Sequence, residues 1–104
     1  MQASKETRDG AAVLKVAGSM TIYEAGDLRA AFLEEFAANG GLVLDLEAVS
    51  ECDTAGVQLL CSARVTAETE TRTFRIEAVS SAVQDALAAA GLTLKAVLPR
   101  NEEV

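Results

Sequence analysis

The sequence predicts an α/β fold, in which helices pack against a mostly parallel or mixed sheet of four to five strands. Short apolar segments alternate with segments whose apolar residues recur every three or four positions, so strands and helices follow one another in turn. The 104 residues suffice for a single domain, with a core over about residues 5–98 and a polar tail over 99–104. Right-handed crossovers would bring the loops that follow the strands to one edge of the sheet, where binding sites usually lie.

The first strand and the first helix are predicted in the amino-terminal third of the chain. Residues 11–17, AAVLKVA, form an apolar strand that a glycine and a serine end. Thr21 stands three residues before Glu24, which is the spacing of a capping box at the start of a helix. A stripe of apolar residues at a spacing of four follows, formed by Leu28, Phe32 and Phe36. Residues 39–41, NGG, end this helix.

A strand, a helix and a further strand are predicted in the middle of the chain. Residues 42–46, LVLDL, indicate a central strand, because the segment is short and mostly apolar. After a turn, Asp53 and Thr54 open the next helix. Val57, Leu60 and Arg64 are predicted on one side of that helix, with Leu59 and Ala63 nearby. Residues 73–79, TFRIEAV, alternate apolar and charged side chains, as a half-buried strand does.

The last helix and the last strand are predicted near the carboxyl terminus. Ser81 precedes Gln84 by three residues, which gives a second capping-box spacing. The apolar stripe of this helix consists of Val83, Ala86, Leu87 and Ala90. Gly91 suits the position just after a helix, where a left-handed backbone is common. Residues 94–98, LKAVL, predict the final short strand.

Composition argues against several classes of function. The net charge of −7, from 16 acidic and 9 basic residues, opposes binding to nucleic-acid phosphates. The chain contains no histidine and no glycine-rich phosphate loop, so an enzyme is not expected. Cys52 and Cys61 are expected to be small buried residues, and no cofactor or metal is expected. The sequence offers no apolar run for direct membrane insertion and no signal peptide, which predicts a cytoplasmic protein.

The junction between the central strand and its helix carries the most informative side chains. Thr54 is predicted to be the N-cap of the helix, with its hydroxyl accepting a backbone N–H bond. Val57 occupies the place where the other two helices carry Glu or Gln, so no side chain reaches back over this cap. Gly56 adds no side chain to the first turn of this helix. A phosphate on the hydroxyl would be partly offset by the free N–H groups and the helix dipole. The alternative interpretation is an ordinary capping sequence.

The wider context resembles a known family. LVLDLEAVSECDTAGVQLLCSA, residues 42–63, resembles the signature of STAS domains, the family of the anti-sigma factor antagonists. VLKVAGSMTIYEAGDLRAAF, residues 13–32, is similar to the second strand, glycine turn and first helix of that family. FRIEAVSSAVQDALAAAGL, residues 74–92, is similar to its late strand and helix. The resemblance covers roughly residues 5–98 and implies a single STAS-like domain.

The resemblance implies a partner-switching role in bacterial signalling. Antagonists of this kind bind an anti-sigma factor that is also a serine/threonine kinase, and they thereby release a sigma factor. The kinase phosphorylates the hydroxyl residue that follows the aspartate of the motif, which is Thr54 here, and a phosphatase reverses this. Asp53 would shape the loop or contact the kinase, and Gly56 would allow close approach of the partner. Ala55 and Thr21 complete the implied partner-binding set.

Two positions differ from the usual antagonist pattern and keep alternatives open. Antagonists usually carry a second hydroxyl where this chain has Ala55, and an acidic residue where it has Thr21. The segments MTIYEA and DTAGVQLL are more similar to the STAS proteins of bacterial chemosensory and two-component signalling. The alternative is therefore a constitutive scaffold or regulatory subunit of a chemosensory or phospholipid-transport complex. Nucleotide binding at the loop is a third and weaker hypothesis, since no phosphate-binding motif is present.

Overall fold

Four strands and three helices make up the fold in the computed structural model, which describes residues 2–99. The elements are β1 (Gln2–Arg8), β2 (Ala11–Met20), α1 (Ala25–Asn39), β3 (Gly41–Cys52), α2 (Thr54–Thr69), β4 (Thr73–Val79) and α3 (Ser81–Ala89), followed by a 3₁₀ helix (Leu94–Val97). The strands lie in the order β1-β2-β3-β4. β1 is antiparallel to β2, whereas β2, β3 and β4 are parallel, so the predicted α/β class with a mixed sheet is confirmed.

The three helices form one layer on one face of the sheet. α1 packs against α2, and α2 packs against α3. Apolar side chains of neighbouring strands lie side by side in the core between the sheet and the helices. Leu14 is opposite Leu44, and Leu44 is opposite Ile76. The predicted stripe of α1 is buried in this core, through Leu28, Phe32 and Phe36. The shared core holds the end of β3 and the start of α2 in fixed positions.

The caps of α1 and α3 differ from the predicted capping boxes. α1 begins at Ala25, so Thr21 is not its N-cap. The carboxylate of Glu24 nevertheless accepts the Thr21 N–H at 2.9 Å, which is one of the two bonds of a capping box, and it also accepts the Thr21 hydroxyl at 2.7 Å. Those bonds close the turn before the helix. α3 is capped one residue earlier than predicted, because the Ser80 hydroxyl accepts the Val83 N–H at 3.3 Å.

The predicted strand at residues 94–98 is wrong, since Leu94–Val97 forms a 3₁₀ helix. Residues three apart lie on the same side of such a helix. Val97 is therefore buried and Leu94 packs partly against the core, beside α2. Pro99, the first residue of the predicted tail, is buried. Residues 100–104 of that tail lie outside the described residues.

Candidate functional site

Asp53 caps helix α2, so the prediction that Thr54 is the N-cap is wrong. The backbone of Asp53 is extended, and its Oδ1 accepts the Gly56 N–H at 3.2 Å. The Asp53 carbonyl accepts the Val57 N–H at 3.1 Å, which makes Thr54 the first helical residue. The third helical residue is then Gly56, which has no side chain to reach back over the cap. As predicted, no side chain reaches back over the cap, but the residue at that position is Gly56 and not Val57.

Thr54 is exposed at the start of α2. Within the described residues its hydroxyl makes no hydrogen bond. The backbone N–H groups of Thr54 and Ala55 likewise have no acceptor among those residues, whereas the N–H of Gly56 is held by Asp53. The site therefore presents a free hydroxyl beside two free donors at a helix N-terminus.

The second carboxylate oxygen of Asp53 joins α2 to the turn between β2 and α1. Asp53 Oδ2 accepts the Ile22 N–H at 3.1 Å. Thr21, the residue before, lines one cleft together with Asp53. The fold thus brings the distant predicted residue Thr21 next to the predicted segment at the start of α2. Sequence reasoning missed Ile22, although an apolar residue directly after Thr21 in a turn was a usable signal.

Gly56 is buried where α2 crosses the end of β2. A Cβ atom at this position would lie 2.8 Å from the Cys52 sulfur and would collide with the carbonyl oxygen of Met20. Glycine is therefore required at position 56 because α2 lies close to Met20 and Cys52 of the same chain. Contact of Gly56 with a partner stays a prediction.

An acidic cleft of about 480 Å³ lies on one side of this junction. Its lining residues are Thr21, Ser50, Glu51, Cys52, Asp53, Ala82, Asp85 and Ala86. Burial, together with the charge of Asp53, raises the pKa of the Cys52 thiol to about 11, so the thiol is protonated at neutral pH. In residues 2–99 no group of three or more potential ligands is arranged to hold a metal ion.

A second groove, of about 310 Å³, lies on the other side, between α1 and α2. Its lining residues are Ile22, Ala25, Gly26, Arg29, Ala55, Gln58, Leu59 and Ser62. This groove is mostly lined by small and apolar residues. Over the described part of the chain, no helix has the length and apolar character needed to cross a membrane.

Comparison with known proteins agrees with the fold and with the resemblance seen in the sequence. Residues 3–99 match the family model described as Mlab, STAS domain. The crystal structure of an anti-sigma factor antagonist from Mycobacterium paratuberculosis is similar, with a TM-score of 0.72 and 26% identity over 92% of this chain and 89% of that chain. No curated protein sequence matches significantly. Because the family match spans nearly the whole chain, this protein belongs to the STAS domain family, whose members are regulatory rather than enzymatic domains.

Proposed function

We propose that this protein is a cytoplasmic signalling module of the anti-sigma factor antagonist type. It binds an anti-sigma factor that is also a serine/threonine kinase, phosphorylation of Thr54 weakens that binding, and a phosphatase restores it. The observation that carries the proposal is the exposed Thr54 hydroxyl, free of hydrogen bonds within the described residues, at the first position of α2. The similarity to an anti-sigma factor antagonist supports the kind of partner.

The surroundings of Thr54 explain why a phosphoryl group would be tolerated by the fold. The free N–H groups of Thr54 and Ala55 and the positive end of the α2 dipole would stabilise the added charge. Asp53 keeps its two bonds to Gly56 and Ile22, so the cap does not depend on the hydroxyl. The domain would therefore stay folded after modification.

The same surroundings explain why a partner would respond to the phosphate. The group adds about −1.5 to −2 charge at neutral pH. It would stand beside Asp53 and near the acidic cleft, on a chain whose net charge is already −7. A partner that docks over this position would meet both added bulk and added negative charge.

The test is phosphorylation of the purified protein by the cognate anti-sigma factor kinase, with the modified residue identified by mass spectrometry. Calorimetry should give equal kinase affinity for the wild type and Thr54→Ala, because the hydroxyl makes no structural bond. Thr54→Glu should bind at least about tenfold more weakly, a loss of about 1.4 kcal/mol. Thr54→Ser is the matched control and should remain a substrate.

Two results would contradict the proposal. One is phosphate on another residue, or none from a kinase that binds. The other is equal affinity for Thr54→Ala and Thr54→Glu. Ala55, where antagonists usually carry a second hydroxyl, favours the alternative of a constitutive scaffold or regulatory subunit in a chemosensory or phospholipid-transport complex. That alternative predicts the recovery of such complexes in a pull-down, with no phosphorylated form in cells.

A further inference from the structure

Ile22 and Tyr23 form an exposed apolar pair at the tip of the turn between β2 and α1. Their exposed fractions are 65% and 90%. The Glu24 N–H bonds the Thr21 carbonyl at 3.0 Å, so the pair occupies the two central positions of a β-turn. Gly, Asn, Asp and Pro are the residues that turn geometry favours there. The fold therefore gives no reason for two large apolar side chains at this tip.

The turn is held rigidly in spite of its exposure. The carboxylate of Asp53 fixes the Ile22 N–H, and the carboxylate of Glu24 holds both the N–H and the hydroxyl of Thr21. A pre-organised apolar group loses little entropy on binding, which is how aromatic anchors contribute affinity at interfaces. Asp53, the residue directly before Thr54, thus positions the pair.

The groove beside Ile22 is kept open by small residues. Gly26 and Ala55 line it from the two helices. A Cβ atom at Gly26 would have no neighbour within 4 Å, and its φ lies outside the left-handed region. Alanine has the higher helix propensity and would fit at this position, so the fold itself does not require glycine there. The absence of a side chain at Gly26 instead leaves room for another molecule.

The charges around the turn indicate what that molecule carries. Three carboxylates, from Glu51, Asp53 and Asp85, line the cleft on one side, and Arg29 is the basic residue that lines the groove on the other. Complementary charge would steer a basic surface towards this position. The carboxylates would repel the phosphate groups of an anionic membrane or of a nucleic acid, so the charges favour a protein as the partner.

We propose that Ile22 and Tyr23 are the anchor by which this protein docks into an apolar pocket of its protein partner, a pocket rimmed by Lys and Arg. This inference rests on the proposed function, because it takes the protein bound beside Thr54 to be that partner. Asp53 bonds Ile22 of the anchor and directly precedes Thr54. A phosphate on Thr54 would therefore lie at the edge of the contact between the anchor and the partner. Salt should slow association, since the rim charges steer the encounter.

The test places a photo-crosslinking amino acid at position 23 of the full chain in cells, and at position 65 as control. Val65 is 52% exposed on α2 and lies eleven residues beyond Thr54. Position 23 should crosslink one protein that position 65 does not. That protein, identified by mass spectrometry and purified, should bind Tyr23→Ala and Ile22→Ala at least about tenfold more weakly. Val65→Ala should bind as the wild type does.

The outcomes separate this inference from the proposed function. A crosslinked protein that is not a kinase, and whose binding needs Tyr23, would support the anchor and overturn the kinase partner. A kinase that binds Tyr23→Ala and Val65→Ala as tightly as the wild type, yet distinguishes Thr54→Glu, would overturn the anchor alone. Absence of any crosslink at position 23, or the same crosslinks at both positions, would also overturn the anchor. Urea unfolding curves should be measured for each variant, to check that it is folded.

Discussion

At Gly56 the first turn of α2 contacts the end of β2. The two elements can lie this close because glycine has no side chain. Any Cβ at this position would come 2.8 Å from the Cys52 sulfur, and the Met20 carbonyl lies on the same side. Backbone atoms cannot move away as the end of a flexible side chain can. The glycine therefore determines where Asp53 and Thr54 stand relative to the neighbouring turn.

We expect Gly56→Ala to lower the free energy of unfolding by about 1–3 kcal/mol, because the added methyl group forces α2 away from β2. Gly26→Ala is the matched control, since it also lies in a helix but has open space around it. That variant should gain about 0.5–1 kcal/mol from helix propensity and reduced freedom of the unfolded chain. Urea unfolding at neutral pH measures both. Equal effects of the two substitutions would contradict this account.

At the scale of single residues, the sequence predicted where helix α2 starts but not which residue caps it. The motif identified Asp53, Thr54, Ala55 and Gly56 correctly as the start of a helix. It could not assign the cap, because both Asp and Thr are good N-caps and only the extended backbone of Asp53 decides between them. Nor could it show that Asp53 bonds Ile22, because that bond joins residues thirty-one apart in sequence.

At the scale of elements, the caps of α2 and α3 differ in what they hold together. The Ser80 side chain accepts one bond, from the Val83 N–H of its own helix. The Asp53 carboxylate accepts one bond from Gly56 of α2 and one from Ile22 in the turn before α1. Removing Asp53 should therefore disturb two elements, whereas removing the Ser80 hydroxyl should disturb one.

We expect Asp53→Ala to cost about 2 kcal/mol of unfolding free energy, at the upper end for an N-cap, and Ser80→Ala about 1 kcal/mol. Chemical denaturation compares the two. Hydrogen exchange gives the sharper readout, because the Ile22 amide should exchange faster in Asp53→Ala and at the wild-type rate in Ser80→Ala. If both variants leave the Ile22 amide equally protected, the bond from Asp53 does not hold the turn.

The elements that the sequence predicted well are those with a clear apolar period. β1 was missed because Gln2–Arg8 is polar, and the pattern of an edge strand is weak when few of its side chains are buried. A signal was present, since Asp9 and Gly10 both have positive φ and form the two-residue hairpin turn that this dipeptide favours. The segment 94–98 was misassigned because a short apolar run fits a strand and a 3₁₀ helix equally well.

At the scale of the whole molecule, charged side chains form ion pairs across the face of the sheet that the helix layer does not cover. Arg8 of β1 reaches across that face to Asp45 of β3 at 2.8 Å and to Glu77 of β4 at 3.2 Å, and it also binds Glu6. Asp45 is 4% exposed, although it lies between two core leucines that point to the helices. This ion-pair network joins the missed strand β1 to the centre of the sheet.

The network makes the stability of the whole fold sensitive to acid. Burial alone would raise the pKa of Asp45, but the Glu47 N–H and Arg8 outweigh it and hold that pKa below its ordinary value. The hydrogen bonds from Thr21 likewise lower the pKa of Glu24. Each carboxylate thus stabilises the fold fully above its unfolded-state pKa, about 4, and the contribution is lost as the pH falls through the lower folded-state pKa.

We therefore expect the free energy of unfolding, measured with urea at a series of pH values, to fall steeply below about pH 4. Asp45→Asn should be less stable than the wild type at neutral pH, because Arg8 loses its buried partner. Its stability should also fall less steeply in acid, since one carboxylate with a lowered pKa no longer binds a proton on unfolding. Asp85→Asn, which removes an exposed carboxylate of α3 that has no ion pair within the described residues, is the control and should stay close to the wild type in stability at neutral pH. Equal slopes for Asp45→Asn and the wild type would show that Asp45 does not couple folding to protonation.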